Sequence, residues 1–127
     1  MMKTPTNLHY AETHEWAKVD EDVIVVGVSE YAQDEMGDIV FADLPAIGSE
    51  YKKGESMAVI ESVKAVSDIY APVGGTIVEV NEALNDSPEL INEDCYGDGW
   101  LVKIAPSNQG ELETLLTAAE YKDQIEA

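Results

Sequence analysis

Lys64 stands at the centre of a near-palindrome, Glu61-Ser62-Val63-Lys64-Ala65-Val66-Ser67-Asp68. Reading outward from Lys64-Ala65, valine faces valine, serine faces serine and acid faces acid. A primary amine held at such a point can be reached by an enzyme, and anything attached to it can swing. Schiff-base catalysis is disfavoured, because no apolar pocket surrounds it to lower its pKa. From the residues alone, a solvated lysine on an ordinary turn is the competing reading. Other chemistry-bearing residues are sparse. His9 and His14 lie five apart without a cysteine pair and do not form a zinc pattern. Asn92, Asp94 and Gly97 imitate the start of a calcium loop, but Tyr96 and Lys103 occupy its fifth and twelfth positions. There is no Gly-x-Ser-x-Gly elbow and no histidine placed by a motif beside a nucleophile. The lone Cys95 cannot form an internal disulfide, which fits a reducing compartment.

The elements that must position Lys64 read mainly as β. Val59, Ile60, Val63, Val66 and Ile69 are β-branched and Pro72 follows, so the palindrome reads as two antiparallel strands with Lys64-Ala65 in the turn, rather than as a helix. Lys-Ala is unusual there, since two-residue hairpins favour Asn-Gly or Gly-x. Trp16 to Val28, interrupted by Asp20-Glu21-Asp22, reads as a second hairpin. Ser29 is a helix N-cap, Glu30 to Met36 a short helix and Gly37 its stop. Ile39 to Ala42, Thr76 to Val80 and Trp100 to Ile104 are further strands, and Asn81 to Gly99 is loop-rich. A helical segment spans about 108–126, with Leu112, Leu115, Leu116 and Ala119 at helical spacing and a restart at the capping box Thr117/Glu120. A faint repeat relates Gly37-Asp38-Ile39-Val40 to Gly75-Thr76-Ile77-Val78. Two such half-units about a central hairpin make a small sandwich with approximate two-fold symmetry. Met36, Leu90 and Leu115 belong to its core.

Composition sets the boundaries. The 127 residues form a single domain over 1–127, and their 45% hydrophobic content is enough for a globular core. Net charge is −19, from 26 acids against seven basic residues, all of them lysine. Such a surface repels nucleic acid and anionic lipid and favours encounters with basic patches on proteins. No apolar run is long enough for a membrane span, and the N-terminus lacks the features of a secretory or transit segment, so a cytoplasmic monomer is expected.

The chain resembles the H protein of the glycine cleavage system. The similarity is carried by His14-Glu15-Trp16, Tyr31-Ala32-Gln33, Gly37-Asp38-Ile39-Val40-Phe41, Glu61 to Asp68, Tyr70-Ala71-Pro72, Val80 to Leu84, Pro88 to Asn92, and Tyr96 to Leu101. It runs from about residue 8 to 121. The resemblance implies a lipoyl-domain-like sandwich of two antiparallel sheets, a barrel-sandwich hybrid with a short internal helix and a C-terminal helical segment. It implies a non-catalytic carrier with lipoic acid in amide linkage to Lys64. The carrier would take an aminomethyl group from pyridoxal-phosphate-dependent glycine decarboxylase to an aminomethyltransferase, and be reoxidised by dihydrolipoamide dehydrogenase. A lipoate ligase or lipoyltransferase would modify it. Glu61 would be the mark that this enzyme recognises, and Glu15 and Asp68 would line the cleft in which the arm docks. As ordinary residues, Glu15 and Asp68 are surface acids, and Glu61 and Asp68 are cross-strand partners with like charges. Cys95 stands where the family often has proline, in a loop expected to tolerate it, and Glu35 stands where relatives vary. The alternatives are a lipoyl or biotin domain of another complex and an unmodified binding or lipoate-relay protein. Against biotin, Val63-Lys64-Ala65 replaces the usual Met-Lys-Met.

Overall fold

A computed structural model describes residues 3–126. Strands β1 (His9–Tyr10), β2 (Glu15–Asp20) and β3 (Val23–Val28) open the chain, followed by helix α1 (Glu30–Met36). Then come β4 (Ile39–Asp43), β5 (Glu50–Tyr51), β6 (Ser56–Ser62), β7 (Val66–Tyr70) and β8 (Gly75–Val80). Two single-turn helices, α2 (Ala83–Asp86) and α3 (Leu90–Glu93), precede β9 (Val102–Pro106), a 3₁₀ turn (Gln109–Thr114) and α4 (Ala118–Glu126). A six-stranded sheet in the order β1-β2-β3-β9-β8-β5 faces a three-stranded sheet β4-β6-β7, and all pairings are antiparallel.

The run Val23 to Val28 is nearly all apolar because both faces of β3 are covered. Ile24, Val26 and Val28 point between the sheets with Ala17, Ile60, Ile77 and Ile104. Val25 and Trp16 point the other way, into a second cluster with Leu8, Tyr10, Ala118 and Tyr121. Gly27 is required there, since a methyl group at that position would lie 2.5 Å from the Trp16 ring.

The internal repeat is structural. β4 pairs with β6 and slips register between Ile39 and Phe41, while β8 pairs with β9 and slips between Ile77 and Glu79. The two bulges fall at equivalent places in the two Gly-x-Ile-Val units, and the extra residue is a solvent-facing valine in each, Val40 and Val78.

The capping box also forms. Thr117 N donates to Glu120 Oε1 at 2.9 Å, and Glu120 N donates to Thr117 Oγ1 at 3.2 Å. It starts α4, whose Tyr121 stacks on Tyr10 with ring centroids 4.6 Å apart. Thr117→Ala is expected to cost about 1 kcal/mol and lower the thermal midpoint by roughly 4 °C. An unchanged midpoint would mean that packing alone sets this helix start.

Candidate functional site

The palindrome is a hairpin, but its symmetry is not its register. Glu61 pairs with Val66, Ile60 with Ser67 and Val59 with Asp68. Ser62 to Ala65 therefore form a four-residue connection, in place of the two-residue turn read from the sequence. Glu61 and Asp68 do not face each other, so the expected like-charge pair is absent. Asp68 instead accepts from Ser56 Oγ at 3.3 Å.

Ser62 supplies what the missing Asn-Gly would have given. Its Oγ accepts from Ala65 N at 3.0 Å and from Lys64 N at 3.3 Å, while its own N–H donates to Ala65 O at 2.8 Å. A serine side chain folded onto the following backbone stabilises a turn without positive φ. Val63 N donates to Asp38 O at 3.0 Å and ties the loop to the chain just before β4. The Lys64 side chain is exposed and lies over Gly37, where a methyl group would meet its Cε at 3.5 Å. Gly37 ends α1 with φ 79°, a conformation that disfavours other residues. Asn92 on α3 fixes this corner, since its Oδ1 accepts from Ile39 N at 2.8 Å and its Nδ2 donates to Gly37 O at 2.9 Å.

A cleft of about 310 Å³ opens between α1, β7 and the turn before β2. Glu35 and Met36 line it from the helix, Ser67 and Asp68 from the strand, and Thr13 and His14 from the turn. Burial lowers the His14 pKa against the opposing charge of Glu35, and its Nδ1 lies 2.8 Å from Tyr121 Oη. His14 is thus packed into the wall of the cleft. A larger hollow of about 560 Å³, beside Lys53, Tyr70 and Leu115, contains none of the candidate residues.

Glu15 is not a surface acid. It is 1% exposed, behind Thr13, whose hydroxyl donates to its Oε1, and its Oε2 accepts from Tyr70 N at 3.1 Å. Burial raises its pKa to about 7, against the lowering effect of the Thr13 and Tyr70 hydrogen bonds. Asp68 is in the cleft wall, Glu15 does not line the cleft and reaches it only through Thr13, and Glu61 is half-buried on β6 between Phe41 and Val66. Thr13, Ser62 and Asn92 were not singled out as site residues, although Asn92 and Ser62 stand inside two of the segments that carry the resemblance. Cys95 lies in a turn, as expected, but not at the surface. It is buried, its carbonyl accepts from Trp16 Nε1 at 3.0 Å, and burial pushes its thiol up to about 12.

Residues 8–127 match the family model described as glycine cleavage H-protein. The chain belongs to the glycine cleavage H-protein family. A glycine cleavage system H protein of Alcanivorax borkumensis is 52% identical over 127 residues, covering 100% of this chain and 99% of that one. One of Thermus thermophilus is 49% identical over 126 residues, covering 99% and 98%. The crystal structure of an H protein from Mycobacterium marinum superposes with a TM-score of 0.89 at 40% identity, over 97% of this chain and 99% of that chain. The mainly β, two-sheet architecture is thus that of the family. An H protein is a carrier of lipoate on a lysine within the glycine cleavage system and is not itself a catalyst.

Proposed function

We propose that Lys64 is the lysine that bears lipoate, and that the cleft beside it is where the arm rests between visits to glycine decarboxylase, the aminomethyltransferase and dihydrolipoamide dehydrogenase. The observation that carries this reading is the position of Lys64. It is the exposed apex of a hairpin whose turn is locked by Ser62, and its stem is laid over Gly37 at the edge of the cleft. The residues present suit the group. The Lys64 amine forms no ion pair among the described residues, where the single salt bridge is Lys103 to Glu79. Met36 and Ile69 offer the cleft an apolar wall, while Glu35 and Asp68 add carboxylates suited to a cationic cargo. Lipoate, when attached, supplies sulfur redox and one-carbon transfer chemistry that this chain's buried Cys95 cannot.

In this reading each residue has a simple task. Ser62 and Asn92 hold the apex and the corner beneath it. Gly37 supplies the positive φ that ends α1 beneath the stem of the arm. Asp68 meets the cargo, Thr13 presents a hydroxyl positioned by Glu15, and Glu61 is read by the modifying enzyme. No described helix is long and apolar enough to cross a membrane. We place the protein in the cytoplasm, with the whole chain acting as one carrier domain.

The test is peptide mapping of protein purified from its own cell. One lipoyl mass increment is expected on the peptide that contains Lys64 and on no other lysine peptide. A fully active protein with every lysine bare would overturn the assignment and favour an unmodified relay.

A further inference from the structure

His14 holds a left-handed backbone, φ 81°, between a hydrogen bond from its own N–H to Ala11 O and one from Ser29 N to its carbonyl. Glycine adopts that conformation freely and histidine does not, so the turn gains nothing locally from an imidazole. The ring is nonetheless held by two tyrosines. Its centroid lies 4.9 Å from that of Tyr31 and 5.7 Å from that of Tyr121, and its Nδ1 is 2.8 Å from Tyr121 Oη. The Tyr121 hydroxyl is also 2.6 Å from Ser29 Oγ, which caps α1 by accepting from Ala32 N. Tyr121 and Ser29 are both buried. Only one order of protons leaves neither hydroxyl stranded among the described residues. Ser29 donates to Tyr121, and Tyr121 donates to His14 Nδ1. In the reverse order the Ser29 proton has no acceptor, which is unfavourable for a buried hydroxyl. Nδ1 is therefore an acceptor, and the neutral ring carries its proton on Nε2. An imidazolium would set two protons against each other between Nδ1 and Oη, unless both hydroxyls turned round. Burial of the ring acts in the same direction, against Glu35.

That neutrality matters because of what else lines the cleft. Glu35 of α1 and Asp68 of β7 bring carboxylates, and Glu15 of β2 lies behind Thr13. Tyr31 and Tyr121 are the other titratable groups against the ring. Among the residues that line the cleft, His14 alone can become a cation. An imidazolium there would be drawn to the carboxylates and would repel a second cation.

We propose that Tyr121, on the last helix, is a positioning residue for the arm cleft: through the chain Ser29–Tyr121–His14 it holds His14 neutral and so leaves the carboxylates of the cleft to the cationic cargo of the arm. This rests on the cleft being the resting place of the arm. Selectivity among the states of the arm follows. The loaded arm ends in a cation and is retained, whereas the disulfide and dithiol forms are neutral and gain nothing from the carboxylates. A fall in pH that protonates His14 turns the chain of hydroxyls round and releases the cargo.

The experiment follows two NMR signals across the histidine range of pH. One is the ring nitrogens of His14 in the apoprotein. The other is the aminomethyl carbon of lipoylated protein charged by glycine decarboxylase with glycine labelled at its methylene carbon. His14→Asn, a neutral side chain that tolerates this φ, identifies the His14 signals. In the wild type Nδ1 should be the unprotonated nitrogen. Tyr121→Phe keeps the ring stacked on Tyr10 but removes the donor to Nδ1. It should favour the imidazolium roughly fivefold at a given pH, the weight of one ordinary hydrogen bond. The aminomethyl carbon should then leave its docked shift at a correspondingly higher pH. In a His14→Asn background, Tyr121→Phe should move neither the docked shift nor its pH dependence. Glu15 titrates in the same range but is common to every variant, so the differences isolate His14. Thr117→Ala, which weakens the start of α4 and leaves the chain of hydroxyls intact, should follow the wild type in both signals. A proton on wild-type Nδ1, or Tyr121→Phe titrating with the wild type, would overturn the proposal. So would equal displacement of the docked signal by Tyr121→Phe and Thr117→Ala, the result of a purely structural role. A wild-type aminomethyl carbon at its free-solution shift at every pH would instead overturn the cleft as the resting place.

Discussion

Lys64→Arg is expected to leave a folded protein that supports no glycine cleavage above the background without carrier. Arginine keeps the positive charge and most of the length. Its guanidinium stays protonated throughout the working pH range and offers no neutral amine to an activated acyl group. The side chain is exposed and its amine has no ion-pair partner among the described residues, so stability should change by no more than about 0.5 kcal/mol. The loss of function therefore cannot be assigned to unfolding. The measurement is glycine-dependent NADH formation in a mixture reconstituted with decarboxylase, aminomethyltransferase, tetrahydrofolate and dehydrogenase. Lys53→Arg, a lysine on the turn after β5, serves as the control and should retain full rate. Near-wild-type turnover by Lys64→Arg would remove the basis for treating this chain as an arm carrier at that position.

What could be read from the sequence, and what could not, divides along physical lines. Strands with one buried face announce themselves through alternation and β-branching, and Ser29, Gly37 and Thr117 announce helix ends because capping is local chemistry. The hairpin that exposes Lys64 was readable for a similar reason, since its segment is contiguous. The register of its hairpin was not. The palindrome pointed to a turn centred on Lys64-Ala65, whereas the strands pair Glu61 with Val66, off that centre, around the hydrogen bonds of Ser62. The cleft is assembled from segments more than fifty residues apart, Thr13 and His14 on one side and Ser67 and Asp68 on the other, so no spacing rule reaches it. The two bulges show a middle case. The Gly-x-Ile-Val repeat was visible, but its consequence, a pair of matched outward turns of which one carries phenylalanine and the other an ion pair, needed the register.

Glu15 was the residue whose environment sequence could least supply, because nothing in His14-Glu15-Trp16 says which acid among 26 loses its water. Its burial makes a second strong prediction. In the folded protein its pKa is about 7, against an ordinary value of 4.5, so the folded state holds this proton more tightly than the unfolded chain does. Its contribution to stability is then fully present below about 4.5 and is lost as pH rises toward and through about 7. The gap amounts to about 3 kcal/mol across that window. Repulsion among the other carboxylates also weakens the fold as pH rises, so the wild-type curve alone does not isolate Glu15. The difference from Glu15→Gln does, because both proteins share those carboxylates. The amide can reproduce the contacts, with its oxygen accepting from Tyr70 N and its nitrogen donating to the Thr13 hydroxyl. Denaturant unfolding at a series of pH values should find the two proteins alike near pH 4.5 and the variant more stable by about 3 kcal/mol at pH 8. A difference that stays flat across the series would show that the buried carboxylate is ionised throughout, compensated by its two donors. A variant less stable at pH 8 would show that those donors favour the charge over the amide.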